Sequence, residues 1–597
     1  MKRIGLYLAV AAAVFVFSVT PFVQSVRFDL APCDDYCYVM QKPEVRNGLS
    51  PSGTAWAFRH VDDGIWMPGT WMSYQFDWTF FNATPSSLHL HSLVIHGMNA
   101  VVLWWLMMLL VPKATKQRSW ITAVTALVWA VHPLRTESVV WIASRKDVLS
   151  MFWLLLSLVT WVWGRKKQGR QTVWGYLASL ALACMAALCK PSVNVYPALV
   201  FLLDWLVLGT FKIEKQKEKS TIPNWLVYVL PLCIGVAVTL EGAWAQYVAG
   251  GFVSQKLPLY GRVLNCMAAF GLYVWNTICP ANLAIECVQK WPHLPRGLML
   301  GVPATVAAIW YFWTKWNRLR NEGWQIMTPS WFFIGVAWFC GTLLPFMTAF
   351  GIHVQADRFT YIPSIGICFL VIGLWEWWLR RSSSPKARWC GIGLSTSIIV
   401  CLALLSWRQT SFWRDERSLY EHTICVDGAD NYRAQILLGV HYWNVEHDLD
   451  AAAKHIEEAG KIDPSSVEDF KHIYMFVLTE SNRMKEAEQL FHDLMESWER
   501  RQQQMQEQGE YVNGLPRYLL LARAAYFIVN PDLRSAAETE LAKIERKSPR
   551  YRLLYYLRGR LAWERGDKET ARQHWRNMLS NSEGEDYLRC LFVKKYL

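Results

Sequence analysis

Residues 88–111 read LHLHSLVIHGMNAVVLWWLMMLLV, a run without one Asp, Glu, Lys or Arg. A helix of that length rises far enough to cross the roughly 30 Å hydrocarbon core of a bilayer. Working outward, the same pattern recurs near 120–140, 148–163, 173–189, 191–209 and 224–241, then near 297–314, 331–350, 362–379 and 390–407. An apolar stretch to about Phe22 follows Met1-Lys2-Arg3; no small-x-small cleavage site comes after it, so it reads as an uncleaved first span. The fold class expected is therefore all-α, a polytopic membrane helical bundle of about eleven transmembrane helices.

Composition agrees. The chain has 597 residues, 53% hydrophobic, with 34 tryptophans, and tryptophan is most stable at the two membrane–water interfaces. The net charge of +13 does not imply nucleic acid. The excess sits in short loops beside apolar runs: Lys113, Lys116 and Arg118; Arg165, Lys166, Lys167 and Arg170; Lys212, Lys215, Lys217 and Lys219. Such clusters mark the cytoplasmic side. This orientation places the amino end in the cytoplasm of an inner (plasma) membrane protein, residues 24–86 in a long outer loop, and everything after 410 outside. Residues 261–279 are apolar but carry Asn265, Tyr273 and Asn276. Counting them as a span would invert the charge rule, so they read as a helix lying along, or dipping into, the outer surface. Of the 14 cysteines, none has metal-ligand spacing; Cys33 with Cys37, and Cys279 with Cys287, are candidate disulfide pairs in an oxidising compartment.

Beyond residue 410 the chain changes solvent. A connector at 411–430 leads into 431–597, where a period of about 34 residues suggests paired helices. Leu438, Gly439, Tyr442, Ala452, Ile456, Ala459 and Pro464 mark one unit, and Ala487 and Phe491 a second. Ala537, Leu541, Ile544 and Pro549 mark a third, and Gly559, Ala562, Gly566, Ala571 and Trp575 a fourth. Small residues let helices approach and large ones fill the groove between them; this is the pattern of a tetratricopeptide α-solenoid.

Charged groups at span ends are costly near lipid and usually face a cavity or water. The outer-side clusters are Asp34 and Asp35; His132, Glu137, Arg145, Lys146 and Asp147; Lys190; and Asp357 with Arg358. Acids beside cations on one face suit a reaction that removes a proton and releases a phosphate. Each also has a plainer reading. Asp34 and Asp35 fit a turn or cap, His132 before Pro133 fits a helix end, and Asp147 fits a pair with Arg145 or Lys146.

Taken in order, the stretches Asp34-Asp35, Trp66-x-Pro68-x-Thr70-Trp71, His89-Leu90 with His96 and Asn99, His132-Pro133-Leu134-x-x-Glu137, Ser144-Arg145-Lys146-Asp147, Lys190-Pro191, Leu203-Asp204 and Ala356-Asp357-Arg358-Phe359-Thr360-Tyr361 resemble the transmembrane and tetratricopeptide repeat-containing family of GT-C glycosyltransferases, in its bacterial form. The resemblance implies a GT-C domain over 1–410 and a polyprenyl-phosphate sugar donor. It also implies transfer to an acceptor hydroxyl outside the cytoplasm, on protein presented by the repeats. It places Asp34 or Asp35 as the catalytic base, Arg145, Lys146, Lys190 and Arg358 at the donor phosphate, and His132, Glu137, Asp147, Asp357, His89 and His96 shaping the acceptor side. Met67 and Tyr36 depart from the family pattern, which bears on substrate. No cofactor or metal is expected. Two other readings remain at this stage: a GT-C enzyme decorating an envelope glycan or lipid, and a non-catalytic scaffold that assembles an envelope complex through its repeats. A secondary transporter is disfavoured because its charges would lie at mid-span.

Overall fold

The computed structural model describes residues 2–30, 34–62, 64–113, 115, 117–204, 224–248, 259–285, 287–288, 295–322, 331–346, 353–381, 384–428, 431–462, 470–507, 516–547 and 551–581. They fall into two compact units, Met1–Ala31 with Tyr38–Asp415, and Pro32–Cys37 with Glu416–Leu597.

The first unit holds α1 (Lys2–Val19), α2 (Pro43–Arg46), α3 (Pro51–Arg59), α4 (Pro68–Phe81), α5 (Pro85–Leu110), α6 (Arg118–Ala130), α7 (Thr136–Val140), α8 (Arg145–Arg165), α9 (Arg170–Ala187) and α10 (Tyr196–Leu202). It continues with α11 (Asn224–Val248), α12 (Leu259–Ile278), α13 (Pro295–Glu322), α14 (Trp331–Leu343), α15 (Ile365–Arg381) and α16 (Pro385–Ser411). Among the described residues, one antiparallel ribbon pairs Cys287–Val288 with His353–Gln355 and the rest of the regular structure is helical.

Among the described residues, five helical stretches are long and apolar enough to cross a membrane: Ile4–Arg27, Pro85–Leu110, Ile142–Arg165, Leu226–Val248 and Trp389–Ser411. Those at 85–110 and 142–165 are mostly buried, whereas the other three expose apolar side chains such as Leu6, Leu240 and Leu404. Surfaces of that kind are stable against lipid rather than water, and the protein is a membrane protein.

Local sequence sets the boundaries. Thr84 caps α5, its hydroxyl accepting from the Ser87 amide at 3.2 Å, with Pro85 in the first turn where its missing N–H costs nothing. Glycines close the helix contacts: a Cβ on Gly175 of α9 would lie 2.6 Å from the Gly164 Cα of α8. Beside this contact the Ser157 and Ser179 hydroxyls bond across the pair, and Ser179 reaches the Tyr196 hydroxyl at 2.8 Å, the interhelical bonding that apolar surroundings favour.

Several expectations change. The stretch 120–140 is not one span. The helix α6 stops at Ala130 because Pro133 forces His132 into an extended conformation, and a short 3-10 turn and α7 follow. Among its described residues, the stretch 191–209 begins as a 3-10 turn and is α-helical over α10. Residues 24–86 are not a plain loop but carry α2, α3 and α4. Arg145, Lys146 and Asp147 are not in a loop but form the first turn of α8, where an acid complements the helix dipole. Residues 261–278 are helical as expected, within α12, which packs on α13 with Ala269, Phe270 and Tyr273 in a buried cluster. Lys116, Lys212, Lys215, Lys217, Lys219, Cys33 and the Cys287 side chain lie outside the described residues, so neither candidate disulfide pair is described.

The second unit contains α17 (Glu416–Asp427), α18 (Tyr432–His441), α19 (Leu449–Ile462), α20 (Lys471–Glu480), α21 (Met484–Glu507), α22 (Arg517–Val529), α23 (Arg534–Lys547), α24 (Arg552–Glu564) and α25 (Lys568–Asn581). Consecutive helices pack as pairs, α18 on α19, α20 on α21, α22 on α23 and α24 on α25, and the leading helices α20, α22 and α24 also touch in sequence. Leu438, Ala452, Ile456, Ala459, Ala487, Ala537, Leu541, Ile544, Ala571 and Trp575 are buried between them. Pro464 and Pro549 lie outside the described residues.

Candidate active site

The membrane unit gathers most of the singled-out charges around the N-terminus of α8. Glu137 lies in the first turn of α7, 4% exposed. Its Oε2 accepts from the Arg358 backbone N–H at 2.9 Å, and its Oε1 pairs with the Arg358 guanidinium. That guanidinium lies over two rings, 5.1 Å from Trp141 and 4.9 Å from Phe359. One carboxylate thus fixes both the backbone and the side chain of the 357–360 turn.

Asp147 performs the same service for Lys190. The turn that carries Lys190 is clamped to the start of α4: the Gly69 N–H donates to Leu188 O at 2.8 Å, and the Thr70 hydroxyl donates to Cys189 O at 3.0 Å. Lys190 leaves α9 extended, its ammonium pairs with Asp147 Oδ1, and it stands 5.5 Å from the ring centres of Phe346 and Phe359. The second carboxylate oxygen, Asp147 Oδ2, is buried without a hydrogen-bond partner. An oxygen in that position normally finds a donor.

The other two cations sit differently. Arg145 is 1% exposed and pairs with Asp77 of α4, while its Nη2 donates to Leu88 O at 2.8 Å and its guanidinium lies 4.8 Å from the Tyr74 ring. His91 shares Asp77 from its other side at 2.6 Å. Every side of Arg145 is thus enclosed by protein. Lys146, also buried, donates to Ala143 O at 3.0 Å and stands 5.0 Å from the Tyr38 ring.

Asp357 is 6% exposed. Burial first, and the Glu137 charge second, hold its carboxyl well above the ordinary 3.8, against a hydrogen bond from Asn276. It therefore favours the neutral acid. His132 caps the 3-10 turn after α6: its Nδ1 accepts from Leu134 N at 3.3 Å, which leaves Nε2 to donate to Thr277 O at 3.1 Å. His96 lies in the interior of the helix assembly, bonded to the Tyr361 hydroxyl at 2.7 Å and facing Ala130 O at 3.1 Å; His89 lies 3.4 Å from Asp29 O.

Asp34 and Asp35 belong to the segment 32–37, grouped with the second unit. They form a helical turn running into a π-helical stretch, Tyr36–Gln41. Asp35 is fully buried and Asp34 half-buried, so Asp34 is the acid with access to solvent. Three residues beyond Asp35 comes Tyr38, the ring beneath Lys146.

Sequence reasoning passed over Asp77 and Arg135. Asp77 is the only charge in the aromatic stretch 74–81, YQFDWTFF, and that isolation was the available signal. Arg135 is fully buried, donates to the Thr360 hydroxyl at 2.9 Å and lies over Tyr361 at 5.1 Å; it hid inside the stretch between His132 and Glu137. Among the described residues no three His, Cys, Asp or Glu side chains come together as a metal-ligand set.

No protein-family profile matches the chain. The sequence is similar to curated proteins. It is 22% identical over 454 residues to the Mus musculus protein named Protein O-mannosyl-transferase TMTC3, covering 70% of this chain and 47% of that one. It is 20% identical over 453 residues to the Homo sapiens TMTC3, covering 71% and 47%. It is 22% identical over 463 residues to the Drosophila melanogaster Protein O-mannosyl-transferase Tmtc1, covering 62% and 52%. The chain spans about half the length of the curated relatives it matches.

Two outcomes follow from this geometry. Asp77→Asn leaves Arg145 buried without its counter-charge, and the loss expected is about 3–5 kcal/mol, whereas Asp77→Asn with Arg145→Met loses clearly less than the sum of the single changes. Thermal unfolding of the solubilised protein measures this cycle, and additivity would contradict an internal ion pair. Asp357, with its folded pKa raised above 3.8, contributes stability that is complete below that value and is lost as pH rises through the folded pKa. Asp357→Asn should therefore show a smaller fall in unfolding midpoint than the wild type as pH is raised from 3.8 upward.

Proposed function

We propose that this chain, a member of the transmembrane and tetratricopeptide repeat-containing (TMTC-like) family, is an integral-membrane glycosyltransferase that moves a sugar from a polyprenyl-phosphate donor to a hydroxyl on protein. The observation that carries this reading is the pair of cations Lys190 and Arg358. Each is held by a carboxylate from another element, each lies over aromatic faces, and beside them Asp147 Oδ2 is buried without a partner. Cations fixed in that way need no reorganisation to meet a leaving phosphate, and they act most strongly where water is scarce. The relatives' name, protein O-mannosyl-transferase, supports a protein acceptor.

The reaction balances as follows. The acceptor oxygen attacks the anomeric carbon from the side opposite the lipid phosphate, its proton passes to a carboxylate, and the bond from that carbon to the phosphate oxygen breaks. The electron pair stays on the lipid phosphate and the anomeric configuration inverts. We assign the carboxylate to Asp34, with Asp35 as its close competitor. The half-exposed position of Asp34 favours it, because a general base must reach the acceptor's proton. Lys190 and Arg358 receive the phosphate charge, with Lys146 supporting them, and Asp147 Oδ2 accepts from a sugar hydroxyl. Arg145, enclosed by Asp77, Tyr74 and Leu88, holds α8 in place instead. The reading carries with it a GT-C bundle of about eleven spans over 1–410, a connector over 411–430, and a tetratricopeptide solenoid over 431–597 that offers an extended peptide its concave face. It also carries an outer-face site in an inner (plasma) membrane, with a cytoplasmic amino end. No metal enters any step.

The test is transfer in membranes supplied with labelled polyprenyl-phosphate sugars, comparing wild type with Asp34→Asn/Asp35→Asn at matched expression. Label reaching protein in the wild type, and falling by about a hundredfold or more in the variant, is the result expected. Equal labelling in both would overturn the assignment of the base. Label appearing on glycan or lipid instead would move the acceptor, and no transfer in either would leave an assembly role for the repeats.

A further inference from the structure

The candidate site lies at the N-terminus of α8. The other end of that helix, 21 residues and about 30 Å away, gathers a different set of charges. There α5 ends at Leu110, α6 begins at Arg118 and α8 ends at Arg165. Residues 112–118 fold back at once, because Thr115 N donates to Pro112 O at 3.0 Å and Arg118 N to Thr115 O at 3.3 Å. Lys113 and Arg118 are thereby kept beside the end of α5. Lys166 reaches the same place from α8, its ammonium donating to Leu109 O. Burial first, and then the charges of Arg118 and Lys113, lower the Lys166 ammonium from its ordinary 10.5. The three cations act on one another.

A loop cation beside a span usually stands alone in water and reports orientation only. Three features separate this cluster from that case. It draws on three elements, and no acid accompanies them: the sequence has no Asp or Glu in 78–136 or 148–203. The next acid along the chain, Asp204, is taken by Arg165 at 3.0 Å, and Tyr228 and Trp161 also donate to it. Arg118 is half-buried, and among the described residues its Nε has no hydrogen-bond partner, although an enclosed N–H of this kind normally finds an acceptor. Finally, α6 opens without a side-chain cap, so the positive end of a helix adds to the three cations. Together these call for a negative charge from outside the chain.

The surroundings indicate its source. Trp105, one turn before Leu109, is 49% exposed, and Trp120, in the first turn of α6, is 37% exposed. Indoles in that state are most stable at the head-group level of a bilayer, and Pro85–Leu110 is long and apolar enough to cross one. Lys113 and Lys166 are exposed at the same end. A phosphate carried by a lipid brings acyl chains that cover the indoles, whereas a free phosphate leaves them bare. A zwitterionic lipid brings its own cation and neutralises less.

We propose that Lys113, Arg118 and Lys166 seat the headgroup phosphate of an anionic phospholipid, at the end of the helix bundle opposite the candidate active site. The seat does not depend on the glycosyltransferase reading.

The probe is a diazirine-bearing phosphatidylglycerol, photolysed with the purified full chain in phosphatidylcholine nanodiscs, and the labelled peptides are mapped. The expected label falls on 105–120 and 163–170. Unlabelled phosphatidylglycerol removes it, and inorganic phosphate leaves it in place. Arg118→Gln/Lys166→Gln lowers it about thirtyfold, the loss that two cations near a membrane surface bring. Lys113 is exposed, so Lys113→Gln tests the seat without disturbing the fold, and it lowers the label about fivefold. Arg381 at the end of α15 and Lys386 at the start of α16 are also exposed. Both α8 and α15 lead away from the candidate site, so Arg381→Gln/Lys386→Gln removes two cations from the same end of the bundle and leaves the label unchanged. An equal loss in that control would reduce the cluster to diffuse surface charge and overturn the proposal. Label elsewhere, label indifferent to Lys113→Gln, or label displaced by inorganic phosphate would overturn it too.

Discussion

A charge buried among apolar helices must be met by an opposite charge, because its desolvation is otherwise too costly, and the membrane unit is arranged around that constraint. Asp77 on α4 meets Arg145, Asp147 on α8 meets Lys190, and Glu137 on α7 meets Arg358. In each pair the partners come from different elements. Together they tie α4, the turn after α9 and the 357–360 turn to the α7–α8 segment. Aromatic rings then orient the cations: Tyr74 under Arg145, Phe346 and Phe359 under Lys190, Trp141 and Phe359 under Arg358.

The same pairing separates structural cations from those fit for a substrate. Arg145 has protein on every side and its carboxylate is shared with His91. Lys190 stands beside the Phe346 and Phe359 rings, next to a carboxylate oxygen without a hydrogen-bond partner. Burial and the neighbouring Glu137 raise the Asp357 carboxyl well above its ordinary 3.8. A phosphate would thus meet cations that are already ordered, so that little orientational freedom is lost on binding.

Much of this was legible in the sequence, and the limits have physical causes. The apolar runs announced a membrane protein, and the repeat positions Ala452, Ala459, Ala537 and Trp575 named residues that are buried between helices. Composition gives length and polarity but not continuity, so 120–140 read as one span although Pro133 divides it. A charge-bearing stretch after a span reads as a loop, yet Arg145 to Asp147 open α8, because the acid suits the helix start and the cations find partners from elsewhere. The clusters themselves were visible as motifs; their pairings were not, since Asp147 could have met its neighbours Arg145 or Lys146 as readily as Lys190, 43 positions away. Asp77, a single charge in an aromatic stretch, and Arg135, between His132 and Glu137, were missed for the same reason: neither carries a spacing to read, and its meaning lies in the residue that faces it.

The central claim is that the sugar arrives on a lipid phosphate rather than on a nucleotide. Purified chain in nanodiscs, given one sugar in two forms, labelled as the polyprenyl phosphate or as the nucleotide diphosphate, with a hydroxyl-bearing peptide acceptor, tests it most directly. The account predicts label on the peptide from the lipid-linked form, appearing with release of polyprenyl phosphate, and none from the nucleotide. Transfer from the nucleotide form alone would contradict it.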